Sequence, residues 1–565
     1  MFARLGAPRR SWLHPHRPLD LWLLVGLALW LLLIGYGLRD PWPADEPRFA
    51  LIGRDIIETG RWLVPHRGPE VYAEKPPIFL WLQAAAYALT GSTRWAFLLP
   101  SLFAALGTLA LVFAFAKRLY GHRIAVLTTV ALLVTVQFTL QGRTAQIDAT
   151  LAFFTTLGLV GLLRHLLLGP AWGWYALAGA AMGLGVITKG TGFLPWLIFI
   201  PYLIARYGGY RGLAPIGADW RWSWGPLAFF GVIVAWGLPI LWLAQHDPEI
   251  AKYRDDLFFR QTVTRLTQSW HHIKPFWYYV TNVVPALWLP LSLLAVFAFA
   301  NWRRRLRRRD ARTLLLLGWV ALVVVFFSLS PGKRGVYILP AVPTLALALG
   351  PLLPGLLRSR RVHLALLTVC VALALIVGGA ALAALIGEPS FARRIEEQNG
   401  VAPWPWLLGV ALMILVAAFA LRRRGALAFL ATMGLVWSSL GLFGFPSMDQ
   451  ARSGRALMDR VLASLPVGSE LAMVSASEHF LLQARGEARV FGFKLAKEEQ
   501  KIRALAWAQE EPGRWLMIQS RHARSCLDHN LALDMGWSNR RHWLLFPSAA
   551  IAANCTPSLP EDPRQ

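Results

Sequence analysis

Long uncharged apolar runs alternate with short charged segments along the first 444 residues of the chain. A helix needs about 20 apolar residues to cross a bilayer, and thirteen runs approach that length. They lie at residues 21–38, 95–116, 124–141, 149–166, 172–188, 190–205, 224–244, 276–301, 313–330, 336–356, 362–386, 404–421 and 425–444. The pattern therefore predicts thirteen transmembrane helices.

The first apolar run follows a basic segment, as the core of a signal peptide would. Arg4, Arg9, Arg10 and Arg17 precede it. The run is longer than a signal-peptide core, however, and no small-residue cleavage site follows it. We expect a retained transmembrane helix.

Charges flank the thirteen runs with a consistent sign. If the N-terminus is cytoplasmic, 24 of the 57 Lys and Arg residues lie in cytoplasmic segments, together with only Asp20, Asp219 and Asp310 of the 31 carboxylates. Lys and Arg accumulate in short cytoplasmic loops because they resist translocation. The sequence thus predicts a cytoplasmic N-terminus and an external C-terminus, and most of the net charge of +26 reports topology.

Composition excludes several other classes of protein. The chain is 56% hydrophobic and 16% charged, with a mean hydropathy of +0.45. Soluble globular chains carry about 25% charged residues, and a nucleic-acid binder would share the positive charge but not the hydropathy. Three cysteines are too few for a disulfide scaffold or a cysteine-rich metal fold.

Residues 445–565 have ordinary charge density and short alternating stretches. A segment of this length suits one small α/β domain, which makes residues 1–444 the transmembrane domain. Cys526 and Cys555 would lie on the oxidising side, where a disulfide is one possible state.

The first external loop, residues 39–94, concentrates polar residues. It contains Asp45-Glu46-Pro-Arg48, after which apolar residues recur with helical spacing. The spacing predicts an amphipathic helix lying in the membrane interface. Asp45 and Glu46 precede that helix, so they are either candidates for chemistry or simple helix caps.

Two further external positions attract attention. Lys75 follows Glu74 and precedes two prolines that stiffen the chain; the alternative is a lysine that reaches the lipid headgroups. Asp148 lies in a short turn close to the hydrocarbon boundary, where a carboxylate is often functional. A structural pair between Asp148 and Arg143 is the alternative.

Two external stretches are cationic and rich in aromatic residues. One runs from Arg265 through His271 to Tyr279, and the other is Ser328-Leu-Ser-Pro-Gly-Lys333-Arg334-Gly-Val-Tyr337. Such cations suit a lipid phosphate. His271 is also a possible metal ligand, although an interfacial polar role is the alternative.

The ordered set of motifs resembles the polyprenyl-phosphate-sugar-dependent integral membrane glycosyltransferases. The resemblance is strongest to their lipid A aminoarabinose transferase branch, with the protein O-mannosyltransferases as wider kin. It rests on Asp45-Glu46-Pro-Arg48, Tyr72-Ala-Glu74-Lys75-Pro76, Arg143…Asp148, Gly183-Leu-Gly-Val-Ile-Thr-Lys189-Gly190, Lys274-Pro-Phe-Trp-Tyr-Tyr279 and Ser328…Tyr337-Ile-Leu-Pro340.

The resemblance implies a GT-C type fold of about thirteen transmembrane helices, interfacial helices in the first periplasmic loop and a small α/β periplasmic C-terminal domain. The site residues it implies are catalytic Asp45, Glu46 and Asp148; donor-phosphate ligands Lys75, Arg265, Lys333 and Tyr337; and supporting Arg48, Glu74 and Arg143. A divalent metal held by Asp45, Glu74 or His271 is left open, because Thr262 stands where the relative carries a histidine.

The resemblance further implies transfer of a sugar from an undecaprenyl-phosphate donor at the periplasmic face of the bacterial inner membrane. The expected acceptor is lipid A or another envelope glycan, and the expected reaction is inverting. Membrane lipids, and no nucleic acid, are the other expected partners. Transfer to Ser/Thr of exported proteins is the alternative within the family. A polytopic transporter or a noncatalytic scaffold is the alternative outside it, and nearly uncharged spans with a polar external rim favour the enzyme.

Overall fold

The computed structural model describes residues 18–258, 273–475, 477–484, 488–523 and 526–552. It consists of a large bundle of apolar helices followed by a small mixed sheet. Backbone groups in a bilayer core must be hydrogen-bonded within the chain, and helices accomplish this. The long apolar runs therefore fold as helices, and the chain is an integral membrane protein.

Within the described residues, six helices are long and apolar enough to cross a membrane. They are Thr93–Tyr120, Ile147–Leu168, Trp220–Leu243, Ala311–Leu329, Arg360–Gly387 and Gly425–Ser464. The shorter helices are Leu19–Leu33, Ile78–Thr90, Trp172–Lys189, Leu194–Tyr207 and Ala341–Leu356. Each of the thirteen apolar runs falls in helical structure, while the number of crossings stays a prediction.

Three pairs of helices, each pair apolar enough to cross a membrane when taken together, are sharply bent at a short break. The pairs are His122–Leu133 with Val136–Gly142, Tyr279–Leu287 with Leu291–Arg307, and Ser390–Asn399 with Trp404–Ala420, and the bends are 72°, 107° and 110°. If each bent pair counts as one span, the described part of the chain has up to nine spans of full length.

Burial separates central helices from peripheral ones. The most apolar window of Ile147–Leu168 is 72% buried, whereas that of Trp220–Leu243 is 17% buried. A helix that is apolar on every side suits lipid as well as a protein core. Ile147–Leu168 therefore lies inside the bundle, and Trp220–Leu243 presents most of its surface to lipid.

The ends of the first and last apolar helices pack against each other through backbone atoms, with no side chain between them. A side chain at Gly35 would overlap the backbone of Gly441, and one at Gly441 would overlap that of Ile34. Arg143 seals the same contact, because its guanidinium donates to the carbonyl oxygens of Leu31 at 2.6 Å and Ile34 at 2.5 Å. The first and last apolar helices of the chain are therefore neighbours in the bundle.

Segments that the charge pattern places on the cytoplasmic side contact one another. His122 lies 3.9 Å from the Asp20 carboxylate. Arg211 bridges to Asp310, since its backbone N–H donates to the Arg309 carbonyl at 2.8 Å. The predicted orientation of the termini stays a prediction.

The first loop contains a helix, Glu46–Thr59, called here the loop helix. Its residues Phe49, Ile52 and Ile56 pack with Phe79 of the Ile78–Thr90 helix in one buried cluster. The short strands β1 (His66–Arg67) and β2 (Glu70–Val71) form an antiparallel pair between the two helices. The apolar face is thus covered by protein, because Ile78–Thr90 supplies the apolar partner, and the position of the loop helix in the membrane interface stays a prediction.

The C-terminal sheet has strands β3 (Glu470–Met473), β4 (Arg489–Val490), β5 (Arg514–Gln519), β6 (Leu533–Ser538) and β7 (Arg541–Pro547), in the order β4-β3-β5-β7-β6. β3 pairs in parallel with β4 and β5, and β7 is antiparallel to β5 and β6. Helices Arg455–Ser464, Glu478–Gln483 and Lys497–Glu510 flank it. Cys526 is disulfide-bonded, and Cys555 lies outside the described residues.

Side chains of β5 alternate between two cores, as the pleat of a strand requires. Leu516 and Ile518 pack under Lys497–Glu510, whereas Met517 joins Leu51 of the loop helix in another cluster. The sheet therefore packs against the first loop. Helical structure continues from Gly425 to Ser464, across the predicted domain boundary.

Polar contacts lock the same interface. The Arg455 guanidinium binds the fully buried Asp40 carboxylate at 2.5 and 2.9 Å. Asp449 accepts from the Trp42 indole at 2.8 Å and from the Asp40 backbone at 3.0 Å. The C-terminal domain is thus one wall of the region that contains Asp45.

Candidate functional site

Asp45 lies at the start of the loop helix but does not cap it. Its side chain makes no capping hydrogen bond. Instead, Oδ2 accepts from the Arg334 guanidinium at 3.2 Å, and Oδ1 lies 3.8 Å from Arg48. The capping alternative therefore fails for the side chain, and Asp45 is held between two cations.

Arg48 connects Asp45 to the C-terminal domain. Its Nε donates to Glu478 Oε1 at 2.8 Å, and its Nη1 lies 3.6 Å from Glu74. Arg67 also reaches Glu478, at 3.3 Å. Burial lowers the pKa of Arg48, but Glu478, Tyr72 and Glu74 raise it on balance, so the guanidinium stays charged beside Asp45.

A second polar group is formed by Asp148, Lys189 and Tyr337. Asp148 is buried and forms an ion pair with Lys189. The Lys189 ammonium lies 4.4 Å from the centre of the Tyr337 ring, a cation–π contact. Asp148 therefore pairs with Lys189, and Arg143 bonds the end of the first helix instead of forming the pair that the sequence offered as an alternative.

Arg334 connects these two groups. Its guanidinium binds Asp45 at 3.2 Å, and its carbonyl oxygen accepts from the Tyr337 N–H at 3.1 Å. Burial acts to lower the pKa of the Arg334 guanidinium, but the carboxylates of Asp45 and Asp148 raise it on balance. The structure brings together Asp45, Arg48, Glu74, Asp148 and Tyr337 of the predicted set, with Arg334 between them.

Glu46 is separated from this arrangement. Both of its oxygens bind the Arg39 guanidinium, at 2.5 and 2.8 Å, and they also accept from the backbone N–H groups of Trp42 at 2.9 Å and Ala145 at 3.1 Å. The side chains of Arg39 and Glu46 are 5% and 9% exposed. A carboxylate so fully bonded is suited to holding the loop, not to touching substrate.

Lys333 also differs from its sequence assignment in its contacts. It is buried, and its ammonium donates to the carbonyl oxygens of Lys274, at 3.0 Å, and of Ser330. Burial lowers the pKa of Lys333. Its contacts tie the loop before Tyr337 to the chain at Lys274, while its neighbour Arg334 reaches Asp45.

We expect Lys333→Met to weaken this loop without removing a donor ligand. The thermal midpoint in detergent should fall, because two backbone carbonyls lose a charged hydrogen-bond donor, at about 1–3 kcal/mol. The KM for the lipid-phosphate donor that the resemblance implies should be unchanged in the folded fraction. A rise of that KM without loss of stability would restore Lys333 to the donor site.

For three of the predicted site residues the structure gives limited information or none. Arg265 and His271 lie outside the described residues. Lys75 is partly buried, between β2 and the Ile78–Thr90 helix. The structure therefore adds nothing on Arg265 and His271 as ligands.

The metal candidates Asp45 and Glu74 both approach the Arg48 guanidinium, with carboxylate oxygens 3.8 and 3.6 Å from its Nη1, and Asp45 also binds Arg334. The described residues hold no group of three or more His, Cys, Asp or Glu side chains that could bind a metal ion. Because the arginines occupy these two carboxylates, they do not fit a divalent ion in this arrangement.

Three residues of the arrangement carry no role in the sequence-based assignment: Lys189, Arg334 and Glu478. Lys189 interrupts two apolar runs, and a charge between apolar runs is itself a signal of function. Arg334 stands beside Lys333 in the same cationic stretch. Glu478 gives no local signal, because its partners Arg48 and Arg67 are more than 400 residues away.

Sequence comparison finds related proteins. The family described as dolichyl-phosphate-mannose-protein mannosyltransferase matches residues 74–236. The undecaprenyl phosphate-alpha-4-amino-4-deoxy-L-arabinose arabinosyl transferase of Serratia proteamaculans is 31% identical over 54% of each chain. That of Aeromonas hydrophila is 28% identical over 86% of this chain and 84% of its own. The chain thus spans about half the length of the first of these relatives.

Structural comparison identifies the fold. The crystal structure of ArnT from Cupriavidus metallidurans bound to undecaprenyl phosphate matches with a TM-score of 0.74 and 20% identity, covering 94% of this chain and 99% of that one. Its apo state matches with a TM-score of 0.71. The predicted GT-C type membrane fold with a small C-terminal sheet is confirmed.

Proposed function

We propose that this chain, which is related in sequence to the aminoarabinose and protein mannosyl transferases and has the fold of ArnT, transfers a sugar from an undecaprenyl-phosphate donor to lipid A. The observation that carries the proposal is the junction of Asp45, Arg334, Asp148, Lys189 and Tyr337 in a chain with these relatives. The inner membrane, with the site on its periplasmic face, is the location that fits this donor.

Arg334 is the centre of the proposed donor site. The leaving group is a phosphate, whose charge grows as the bond to the sugar breaks, and preorganised cations stabilise that charge most effectively in a site poor in water. Arg334 is held by Asp45, and Lys189 by Asp148 and the Tyr337 ring. Lys75 and Arg265 remain proposed donor ligands.

The proposed reaction is one inverting displacement. An ionised phosphate oxygen of lipid A attacks the anomeric carbon of the sugar, the bond from that carbon to the donor phosphate oxygen breaks, and its electron pair leaves with undecaprenyl phosphate. No proton need move, because the acceptor is already ionised, so Asp45 acts by orienting Arg334 and Arg48. Retention of the anomeric configuration would contradict this mechanism.

A second acceptor class is favoured by the mannosyltransferase family match over residues 74–236. A Ser or Thr hydroxyl of an exported protein would need a base, because a hydroxyl is a poor nucleophile until it loses its proton. Asp45 would then take that proton. The two acceptors thus demand different chemistry from the same carboxylate.

Substitution of Asp45 or Lys75 by Ala tests the site. With full-length protein in liposomes and an undecaprenyl-phosphate aminoarabinose donor, we expect each variant to lose about 10²-fold or more in transfer, a size typical of groups that organise transition-state charge. Expression and thermal midpoints are compared with those of Glu58→Gln, an exposed change on the same helix. Undiminished transfer by both variants would refute the assignment.

Mass spectrometry of a deletion strain distinguishes the acceptors. Loss of one pentose amine from lipid A selects the first function, and loss of a hexose from exported proteins selects the second. Unchanged masses in both fractions would contradict both.

A further inference from the structure

A cavity of about 370 Å³ lies where the first loop, the helix Ser390–Asn399, the helix Phe445–Arg452 and the turn between β6 and β7 meet. Its lining residues are Pro43, Gln398, Arg452, Asn539, Arg540 and Arg541. The volume suits a phosphorylated headgroup better than a single ion. Of the chain segments that contribute to the candidate site, the one before Asp45 borders this cavity.

The lining contains three arginines and no carboxylate. Within the described parts of the chain, none of the three forms an ion pair. Arg452 donates to the Asn399 side chain at 3.0 Å and lies 5.0 Å from the centre of the Trp42 ring. Asp449, one turn before Arg452, is turned to Trp42 and Asp40.

Like charges act on one another in this lining. Burial lowers the pKa of the Arg452 guanidinium, and the nearby charges of Arg540 and Arg39 lower it further. Like charges gathered without a compensating carboxylate are unfavourable unless an anion joins them. Guanidinium groups recognise phosphate oxygens with paired hydrogen bonds, so the cluster has the chemistry of a phosphate site.

Backbone conformation adds an independent observation. The β6–β7 turn places Asn539 at φ +48° and Arg540 at φ +64°, both in the left-handed region. A two-residue hairpin of this kind favours Asn-Gly, since glycine has no side chain to clash. The Asn539 N–H bonds the Ala451 carbonyl at 2.7 Å and fixes the turn beside Arg452. Arginine at the strained position points to a need for its side chain.

We propose that this cavity binds a phosphate-bearing part of the acceptor headgroup and holds the acceptor beside Asp45. The proposal rests on the proposed function and names a subsite for its acceptor. The proposed function assigns Arg334 and Lys189 to the phosphate of the donor. A second set of cations, in the cavity, suits the phosphate of the acceptor. Pro43 lines the cavity two residues before Asp45, which places the subsite along the same chain segment as Asp45.

A binding experiment tests the subsite directly. Full-length protein in phosphatidylcholine nanodiscs is titrated with lipid A and with enzymatically dephosphorylated lipid A. We expect the phosphorylated form to bind about tenfold more tightly, with competition by millimolar inorganic phosphate. Equal binding of both lipids overturns the proposal. Tight binding of inorganic phosphate with no preference between the lipids also overturns it, because the site would then serve a free anion.

Variants locate that preference in the cavity. Arg540→Gly and Arg541→Gln should each lose most of the preference for phosphorylated over dephosphorylated lipid A. Each should raise the KM for lipid A about tenfold, with kcat and the KM for the donor unchanged. Arg503→Gln is the matched control, since Arg503 is an exposed arginine of the same domain that pairs with Glu499. Wild-type KM in both cavity variants refutes the subsite.

Arg540→Gly also separates binding from folding. Glycine relieves the strained turn, so the thermal midpoint of this variant should equal or exceed that of the wild type while acceptor binding falls. A lowered midpoint together with weakened binding would assign Arg540 a structural role. If the wild type transfers no sugar, the proposed function fails, and phosphate-dependent binding by the nanodisc assay still decides the subsite.

Discussion

Arg334→Gln should transfer sugar about 10²–10³-fold more slowly than the wild type, the loss typical when one preorganised donor to developing charge is removed. Glutamine cannot carry the positive charge that faces the leaving phosphate, and Asp45 loses the partner at 3.2 Å. The effect should appear in kcat and kcat/KM of full-length protein in liposomes, with the thermal midpoint little changed, because the side chain is partly exposed.

Two companions sharpen this experiment. Arg334→Lys keeps the charge and should recover part of the rate, whereas Arg61→Gln, an exposed change in the first loop, should leave it unaltered. A wild-type rate in Arg334→Gln would remove Arg334 from the donor site. A loss confined to KM would mean that Arg334 binds substrate and transition state equally.

Glu46→Gln should unfold far more readily than the wild type while its folded fraction keeps its activity. The change leaves Arg39 charged and buried beside a neutral amide, and breaking a buried pair in this way costs about 3–5 kcal/mol. Thermal unfolding in detergent, with transfer measured on the folded fraction, checks both parts. Glu58→Gln, at an exposed carboxylate of the same helix, is the control.

The opposite result for Glu46 is equally informative. A stable variant with a large loss of kcat would return Glu46 to the catalytic group. Its adjacency to Asp45 made the two residues equivalent in the sequence, but they face different surroundings. Asp45 reaches Arg334 from the start of the helix, and Glu46 turns inward to Arg39.

Periodicity and length made most of the membrane fold predictable. Apolar runs and helical spacing are local properties of the chain, and the helices follow them. The surroundings of the loop helix were not predictable in this way. Its apolar face could equally have met lipid, and only the Ile78–Thr90 helix and the C-terminal sheet determine that it meets protein.

The sequence made it possible to predict which polar external segments form the candidate site. It did not show which side chains in those segments pair with one another. Asp148 and Lys189 are 41 residues apart, and no local spacing links them. Lys333 and Arg334 are neighbours, yet Arg334 has extended backbone (φ −114°, ψ 141°), in which successive side chains point to opposite sides. One therefore binds carbonyls of the loop and the other reaches Asp45.

The contact between Gly35 and Gly441 has a consequence for how the chain is made. Synthesis proceeds at about 5–20 residues per second, so the ribosome reaches Gly441 roughly 20–80 s after Gly35. Arg143 emerges much earlier and can bond the carbonyls of Leu31 and Ile34 during the wait. We therefore expect the first helix to pack in two stages, first against Arg143 and later against the last apolar helix.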